Sequence, residues 1–489
     1  PIKLSHFMSS PSQNHPPGTG TDSAPADMDA GGLLEFRASW GVFLLFIMLN
    51  TALLVAVKEG GQLLNAADGG SWYNPARALL EYGAFVKLDD PATPMTYRQP
   101  LYPLFEAALL WLGGGVSLVP LVVGQIAVLW VTGLFARAMV NAWLPGYGVA
   151  ALALVVFNPN ALATVHLVQS DTLYALFITA CLWAVLGYAR EPSLRPALLG
   201  GLFLGLSCLV RPTAQYLIFL LPLLLPLLAL AGSGGRSFAV RIGQGMTAAV
   251  VAGTMALPWM IHNVQAGQGF ALSTPATKLV YLRDNVAYLE KYATGVSLAE
   301  ADRKTFGREA AFEEAQGPAW ETLSDYERQT AMLDYYTRAF FSYKFPVIAK
   351  GYVYSWGQFF GAAGAANFHN LLGLDAPSAF TTMREKNFES HLGSVLDALK
   401  RSPPAAMAIS VTALVFVIAL RGLGLIGLAW MFMKRHYAVL LACAGLITYF
   451  AVLHLFAGNS RYRLPVDPAL IFLALYGVDG LRARLCREG

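Results

Sequence analysis

The chain has 489 residues, of which 56% are hydrophobic and only 13% charged, with a mean hydropathy of +0.49. Soluble domains carry about a quarter charged residues, so a soluble globular class is excluded. The small net charge of +4 excludes a nucleic-acid surface. The composition predicts an all-α polytopic membrane protein with about ten transmembrane helices. Of the four cysteines, Cys181, Cys208 and Cys443 fall inside apolar stretches and Cys486 in the basic C-terminal tail. None falls in an outer loop, so no disulfide is expected.

Residues 1–35 are rich in Pro, Ser, Gly, Asp and Ala and read as disordered; they lack the apolar core of a signal peptide. A first span runs from about Trp40 to Val57, followed by an outer loop, 58–100, that includes a short amphipathic helix at 72–83 just after Asp68. Residues 101–113 are apolar but short, contain Glu106 and precede three glycines, so they read as an interfacial helix. The next spans are Leu118–Phe135, Val149–Leu162 with an Asn158-Pro159-Asn160 break near its outer end, Asp171–Tyr188, Ala197–Val210, Tyr216–Ala231 and Ile242–Met260. A mainly polar, mainly helical outer region, 261–404, separates this core (36–260) from a C-terminal transmembrane part (405–489). The latter holds spans near Ala405–Met433, Tyr437–Ala457 and Pro465–Gly480, with Arg421 inside the first.

Threaded from a cytoplasmic N-terminus, the inside loops collect Arg137, Arg190, Arg195, Arg236, Arg241, Lys434, Arg435, Arg482, Arg484 and Arg487, the usual positive-inside bias. The thread predicts a multi-pass plasma (inner) membrane protein whose working face is periplasmic or extracellular. Against that bias Arg98, Arg211, Arg461 and Arg463 stand on the outer side. Snorkelling or outer salt bridges would account for one of them. Four from distant segments suggest one cleft for a lipid phosphate, because the planar guanidinium fork suits phosphate.

Two aspartates lie at the same level. Asp68 has the chemistry of a general base on a hydroxyl, and equally that of an N-cap for the helix behind it, although Ser71 is the better-placed cap. Asp171 begins a span within His166-Leu167-Val168-Gln169-Ser170-Asp171; capping is its bland role, and its depth favours a functional one. Tyr462, between two arginines, either packs on a lipid or sugar or on its own helix. His166, His262 and His454 read as interfacial histidines. The cofactor is left open, since no ligand spacing supports a divalent metal.

Taken together these pieces resemble a family. They are Asp68 with Tyr73 and the ARALLEYGAF stretch; Arg98-Gln99-Pro100-Leu101-Tyr102-Pro103; Asn158-Pro159 and Ser170-Asp171-Thr172-Leu173; Leu209-Val210-Arg211-Pro212; Pro258-Trp259 with His262-Asn263; and Arg461-Tyr462-Arg463-Leu464-Pro465. In order and position the chain resembles the polyprenyl-phosphate-dependent glycosyltransferases of the GT-C superfamily, of the protein O-mannosyltransferase and lipid A aminoarabinose transferase kind. The resemblance implies a membrane glycosyltransferase of the cell envelope. It implies Asp68 and Asp171 as catalytic acids, and Arg98, Arg211, Arg461 and Arg463 on the donor phosphate. It implies Tyr73, Tyr462 and Asn263 as substrate contacts. The donor would be a polyprenyl-phosphate-linked sugar among the membrane lipids, and the acceptor a glycan, lipid or protein, with inversion at the sugar. Some relatives carry a Glu-Lys pair where Arg98-Gln99 stand, and many carry a Glu adjacent to the aspartate, absent beside Asp68. Two other functions fit an outer anion site: a transporter or flippase of a lipid-linked sugar, which would need polar span centres, and a non-catalytic lipid-binding subunit.

Overall fold

The computed structural model describes residues 30–57, 68–115, 117–230, 237–374, 376 and 391–488. Among these the secondary structure is helical; the only extended pairing is an isolated bridge between Val86 and Pro94. The protein is all-α. Among the described residues seven helices are long and apolar enough to cross a membrane, and Leu101–Leu112, Leu194–Val210 and Tyr437–Leu453 are shorter apolar helices.

In chain order, α1 (Ala30–Ala56) leads to α2 (Gly69–Tyr82) and α3 (Leu101–Leu112). Helix α1 thus takes in residues 30–35 of the segment expected to be disordered, while 1–29 lie outside the described residues. At 1.5 Å per residue α3 spans about 18 Å, short of a hydrocarbon core of about 30 Å. Then come α4 (Val119–Trp143), α5 (Gly148–Val156), α6 (Pro159–Thr164), α7 (Asp171–Arg190), α8 (Leu194–Val210), α9 (Gln215–Leu230) and α10 (Phe238–Gln265).

The stretch read as a third span is two short helices. Pro159 has no N–H to donate and holds Asn158 in extended backbone, φ −59° and ψ 119°. The chain therefore turns there, and Asn158 caps α6 by accepting from the Asn160 N–H.

The region 261–404, expected to lie outside the membrane, is helical where described: α11 (Pro275–Thr294), α12 (Leu298–Gln316), α13 (Pro318–Thr322), α14 (Asp325–Ser342), α15 (Phe345–Gly361), α16 (Ala365–Leu371) and α17 (His391–Arg401). Its own small core gathers Val286, Trp320, Met332 and Tyr336. Ser324 and Glu327 form a reciprocal capping box at the start of α14, satisfying two otherwise orphaned donors.

The chain closes with α18 (Pro404–Met433), α19 (Tyr437–Leu453), the short α20 (Ser460–Arg463) and α21 (Asp467–Glu488). Arg421 is compensated within α18: its Nη2 lies 3.3 Å from Asp467 Oδ1 and its Nε donates to the Phe360 carbonyl. Helix α21 runs through the middle of the bundle; Ala469 through Tyr476 are all buried. It crosses α18 where both helices carry glycine. A Cβ on Gly427 would meet the Leu473 carbonyl oxygen at 1.8 Å, and one on Gly477 the Leu423 carbonyl oxygen at 2.1 Å. In lipid, where packing rather than hydrophobic exclusion joins helices, such contacts need small residues.

Gly427→Ala and Gly477→Ala are therefore each expected to lower stability by about 1–3 kcal/mol, the usual cost of overpacking. Gly422→Ala, on the same helix with nothing within 4 Å of an added Cβ, should be neutral. Thermal unfolding of the three purified variants in detergent measures the difference.

Candidate functional site

Four chain segments deliver charged side chains to one end of the bundle. Asp68 immediately precedes α2. It occupies the N-cap position, yet its side chain caps nothing. Its carboxylate faces outward to two arginines: Arg461 Nη2 donates to Oδ2, and Arg98 Nη2 lies 3.6 Å from Oδ1. Ser71 is not the cap either. It lies inside the helix, where its hydroxyl donates to the Asp68 carbonyl and accepts from Arg98 at 3.1 and 2.5 Å. Arg98 is held flat by two rings, Trp72 at 4.3 Å and Tyr97 at 4.6 Å from their centroids, a cation–π arrangement that fixes the guanidinium plane.

Asp171 opens α7, where the helix dipole favours a negative charge, and its side chain is fully buried. Ser170 makes no capping bond; its hydroxyl accepts from Arg211 Nε at 2.8 Å, and Arg211 Nη2 donates to Asp171 Oδ2 at 2.7 Å. The capping roles considered for Asp68, Ser71 and Asp171 are thus replaced by arginine contacts. Arg211 reaches its partners because Pro212 forbids it the helical conformation. It ends α8 in extended backbone, φ −146° and ψ 134°, and swings clear of the helix.

Arg461 joins the two aspartates. Its Nη2 bonds Asp68, and its Nε stands 3.3 Å from Asp171 Oδ2, within ion-pair range but without hydrogen-bond geometry. Asp171 Oδ1 is buried with no partner. Asp68, Arg98, Asp171, Arg211 and Arg461 therefore form one cluster. Three guanidinium groups against two carboxylates leave one positive charge in excess. Exposure is graded from Asp171 at 0% to Asp68 at 34%, so the outermost carboxylate belongs to Asp68. Burial pushes the Asp68 carboxyl up, but the charges of Arg461 and Arg98 outweigh it and hold it below the usual carboxylate range.

Arg463, two residues on, does something else. It is 1% exposed; its Nε donates to Asp467 at 2.9 Å and its Nη1 to the Phe359 and Ala362 carbonyls at 2.6 and 2.8 Å. It is not among the partners of either cluster aspartate. Asn158 donates to Asp467 at 2.9 Å and Asn160 to the Ser460 carbonyl at 2.8 Å. These bonds pin the 460–467 turn that presents Arg461. Asn263 is likewise fully buried, donating to the Ala271 carbonyl at 2.8 Å, which closes the chain reversal after α10. Tyr462 stacks on His454 at 4.3 Å and 9°, and Tyr73 accepts from Arg77 at 3.2 Å.

Local sequence did not point to Ser71, Trp72 or Ser170 as arginine partners. The bonds to Ser71 and Ser170 join residues 27 and 41 apart, beyond any local pattern. His166 meets Asn50, and His262 the Met95 carbonyl. Among the described residues no group of three or more His, Cys, Asp or Glu is gathered as metal ligands.

No protein-family model matches the chain, and no curated protein matches it. Among solved structures the chain is similar to the archaeal oligosaccharyltransferase AglB from Archaeoglobus fulgidus, in complex with an inhibitory peptide and a dolichol-phosphate. The identity is 14% and the TM-score 0.47, over 92% of this chain and 51% of that one. This chain thus spans about half the length of that protein.

The different settings of Arg461 and Arg463 separate by mutation. Arg463→Ala leaves Asp467 buried with a partner removed and should destabilise the fold by about 3–5 kcal/mol. Arg461→Ala takes a partner from two carboxylates that keep Arg98 and Arg211, and should cost less, about 1–3 kcal/mol. Thermal unfolding of the two variants, side by side, checks the assignment.

Proposed function

We propose that the protein is a membrane glycosyltransferase of the GT-C kind, transferring a sugar from a polyprenyl-phosphate donor to an acceptor at the outer face of the membrane, with inversion. The observation that supports this reading most is the cluster itself. It is an excess-positive nest of Arg98, Arg211 and Arg461 with one partly exposed carboxylate, Asp68, at its edge.

The reaction needs two things from the protein. The leaving phosphate must be held as its charge grows, and the acceptor must lose a proton. The acceptor oxygen or nitrogen forms a bond to the anomeric carbon, and the bond from that carbon to the phosphate oxygen breaks, its electron pair staying on the phosphate. The acceptor proton passes to Asp68. Preorganised guanidinium donors stabilise the departing phosphate without reorganisation cost, and a positioned carboxylate serves as general base.

Asp68 is paired with Arg461 and Arg98, which keeps it ionised but a weak base. A phosphate entering the nest takes up those same guanidinium groups. As their hold on Asp68 loosens, its basicity rises, so the base strengthens when the donor is in place. Asp171 is too buried to meet an acceptor. Its part is positioning: it holds Arg211 and Arg461 at the mouth. The transporter reading is less well supported, because Arg421, the charge inside a span, is committed to Asp467.

Asp68→Asn keeps shape and hydrogen bonding but cannot take up the proton. It is expected to fold, to bind donor lipid at least as well as the wild type because less charge competes for Arg461 and Arg98, and to lose transfer roughly 100- to 10,000-fold, the usual worth of acid–base catalysis. Transfer from a polyprenyl-phosphate sugar by the purified variant in nanodiscs is the measurement. Near-normal transfer would remove Asp68 from the mechanism and leave a lipid-binding subunit as the better reading.

A further inference from the structure

The outer helix α11 is stitched to both segments that carry the cluster's mouth. At its start, Thr274 and Thr277 donate to the Thr96 and Tyr97 carbonyls at 3.3 and 3.0 Å, next to Arg98. One and two turns on, Tyr281 donates to the Leu453 carbonyl and Asn285 accepts from the Phe456 N–H at 2.9 Å, on the stretch leading to Arg461. Asp284 sits between these last two anchors. Helical spacing puts Tyr281, Asp284 and Tyr288 on neighbouring turns of one side of the helix. The Asp284 side chain is 57% exposed, and its one ion-pair contact, Arg283, is at 3.8 Å. That arginine is also engaged with the Phe306 ring and with Glu309. Tyr281 keeps 38% of its surface exposed although its hydroxyl is tied down, so part of its ring is free to be covered.

An exposed carboxylate beside a partly exposed tyrosine ring is suited to a sugar: the carboxylate accepts from hydroxyls and the ring covers the apolar face of a pyranose. We propose that Asp284 is a saccharide-binding residue at the mouth of the arginine cluster, accepting hydrogen bonds from the hydroxyls of a pyranose that rests on Tyr281. This deepens the glycosyltransferase reading and rests on it for the reaction, though the binding itself does not require it. The pyranose has two sources with the same chemistry, the sugar of the donor lipid or a sugar of the acceptor.

The electrostatic setting supports the placement. Partial burial raises the Asp284 pKa to about 6, opposed by Arg283 on its own helix and assisted by the charges of Asp302 on α12 and of Asp68. Tyr97 from the first outer loop and Tyr288 on α11 in turn feel the Asp284 charge. The sign follows directly. Above a pH of about 6 the carboxylate is ionised and accepts strongly; as pH falls through that value it takes up a proton and sugar binding weakens.

The test uses the purified full chain in nanodiscs and two sets of probes. The methyl glycosides of glucose, mannose and galactose are followed by saturation-transfer NMR, with the protein loaded with farnesyl phosphate. The farnesyl phosphate esters of the same sugars are titrated against bare farnesyl phosphate. Asp284→Asn is expected to weaken the preferred sugar roughly tenfold or more, the loss of a charge-assisted hydrogen bond, and to leave bare farnesyl phosphate binding unchanged. Asp284→Glu should retain part of the binding, and the wild-type dependence on pH near 6 should vanish in Asp284→Asn. A loss confined to the glycosylated lipids assigns the donor sugar, and a loss confined to the free glycosides assigns the acceptor. Wild-type protein that takes up no sugar in either form overturns the proposal. Sugar binding and pH dependence that survive Asp284→Asn do the same, as does an equal loss of bare farnesyl phosphate. Failure of the wild type to bind bare farnesyl phosphate counts against the glycosyltransferase reading instead, and the free glycosides then test Asp284 on the unloaded protein.

Discussion

The site depends on one guanidinium held between two carboxylates. Arg461 bonds Asp68 from the first outer loop and faces Asp171 at the start of α7. Those segments are separated by about a hundred residues, and Arg461 lies nearly three hundred beyond the second. Charges this far from bulk water interact more strongly than exposed ones and tolerate less misplacement. Much of the surrounding structure serves to put that group where it is. Asn459 caps the short α20 by accepting from the Arg461 N–H, and Asn160 holds the Ser460 carbonyl. Arg463 anchors the same turn from beneath through Asp467 and two carbonyls.

A second polar layer lies inside the bundle. Asp467 accepts from Arg463, Arg421 and Asn158. Burying these charges is costly, and a buried ion pair is a poor source of net stability. Its use here is geometric. The break at Asn158-Pro159 and the Arg421 charge inside α18 both meet the short segment from Ser460 to Asp467. That segment is fixed on several sides, and its one outward-directed guanidinium inherits the rigidity.

The cluster combines a fixed inner half and an adjustable outer half. Asp171, Arg211 and Ser170 form the inner half, with short bonds and little exposure. Asp68 is the most exposed member, at the start of the described part of the first outer loop. Arg98 lies on a segment clamped by α11.

The apolar runs determined the helices by themselves. Lengths of apolar residues, prolines and the Asn158-Pro159 break act locally, and the helices from α7 to α10 and from α18 to α21 fall close to the expected stretches. Residue chemistry also marked Asp68, Asp171, Arg98, Arg211 and Arg461, because charged groups on the outer side of an apolar bundle need a reason to be there. Sequence could not separate Arg461 from Arg463, which share a turn and a residue type. Only the packed bundle turns one toward two aspartates and commits the other to Asp467 and two carbonyls. Nor could it show that Asn263 closes a turn, or that Ser71 and Ser170 serve arginines rather than helix ends. Helix formation is settled by residues within a few positions of each other. The charge pairs of this site join residues 30 to 393 positions apart, and which of them meet is decided by how the helices cross.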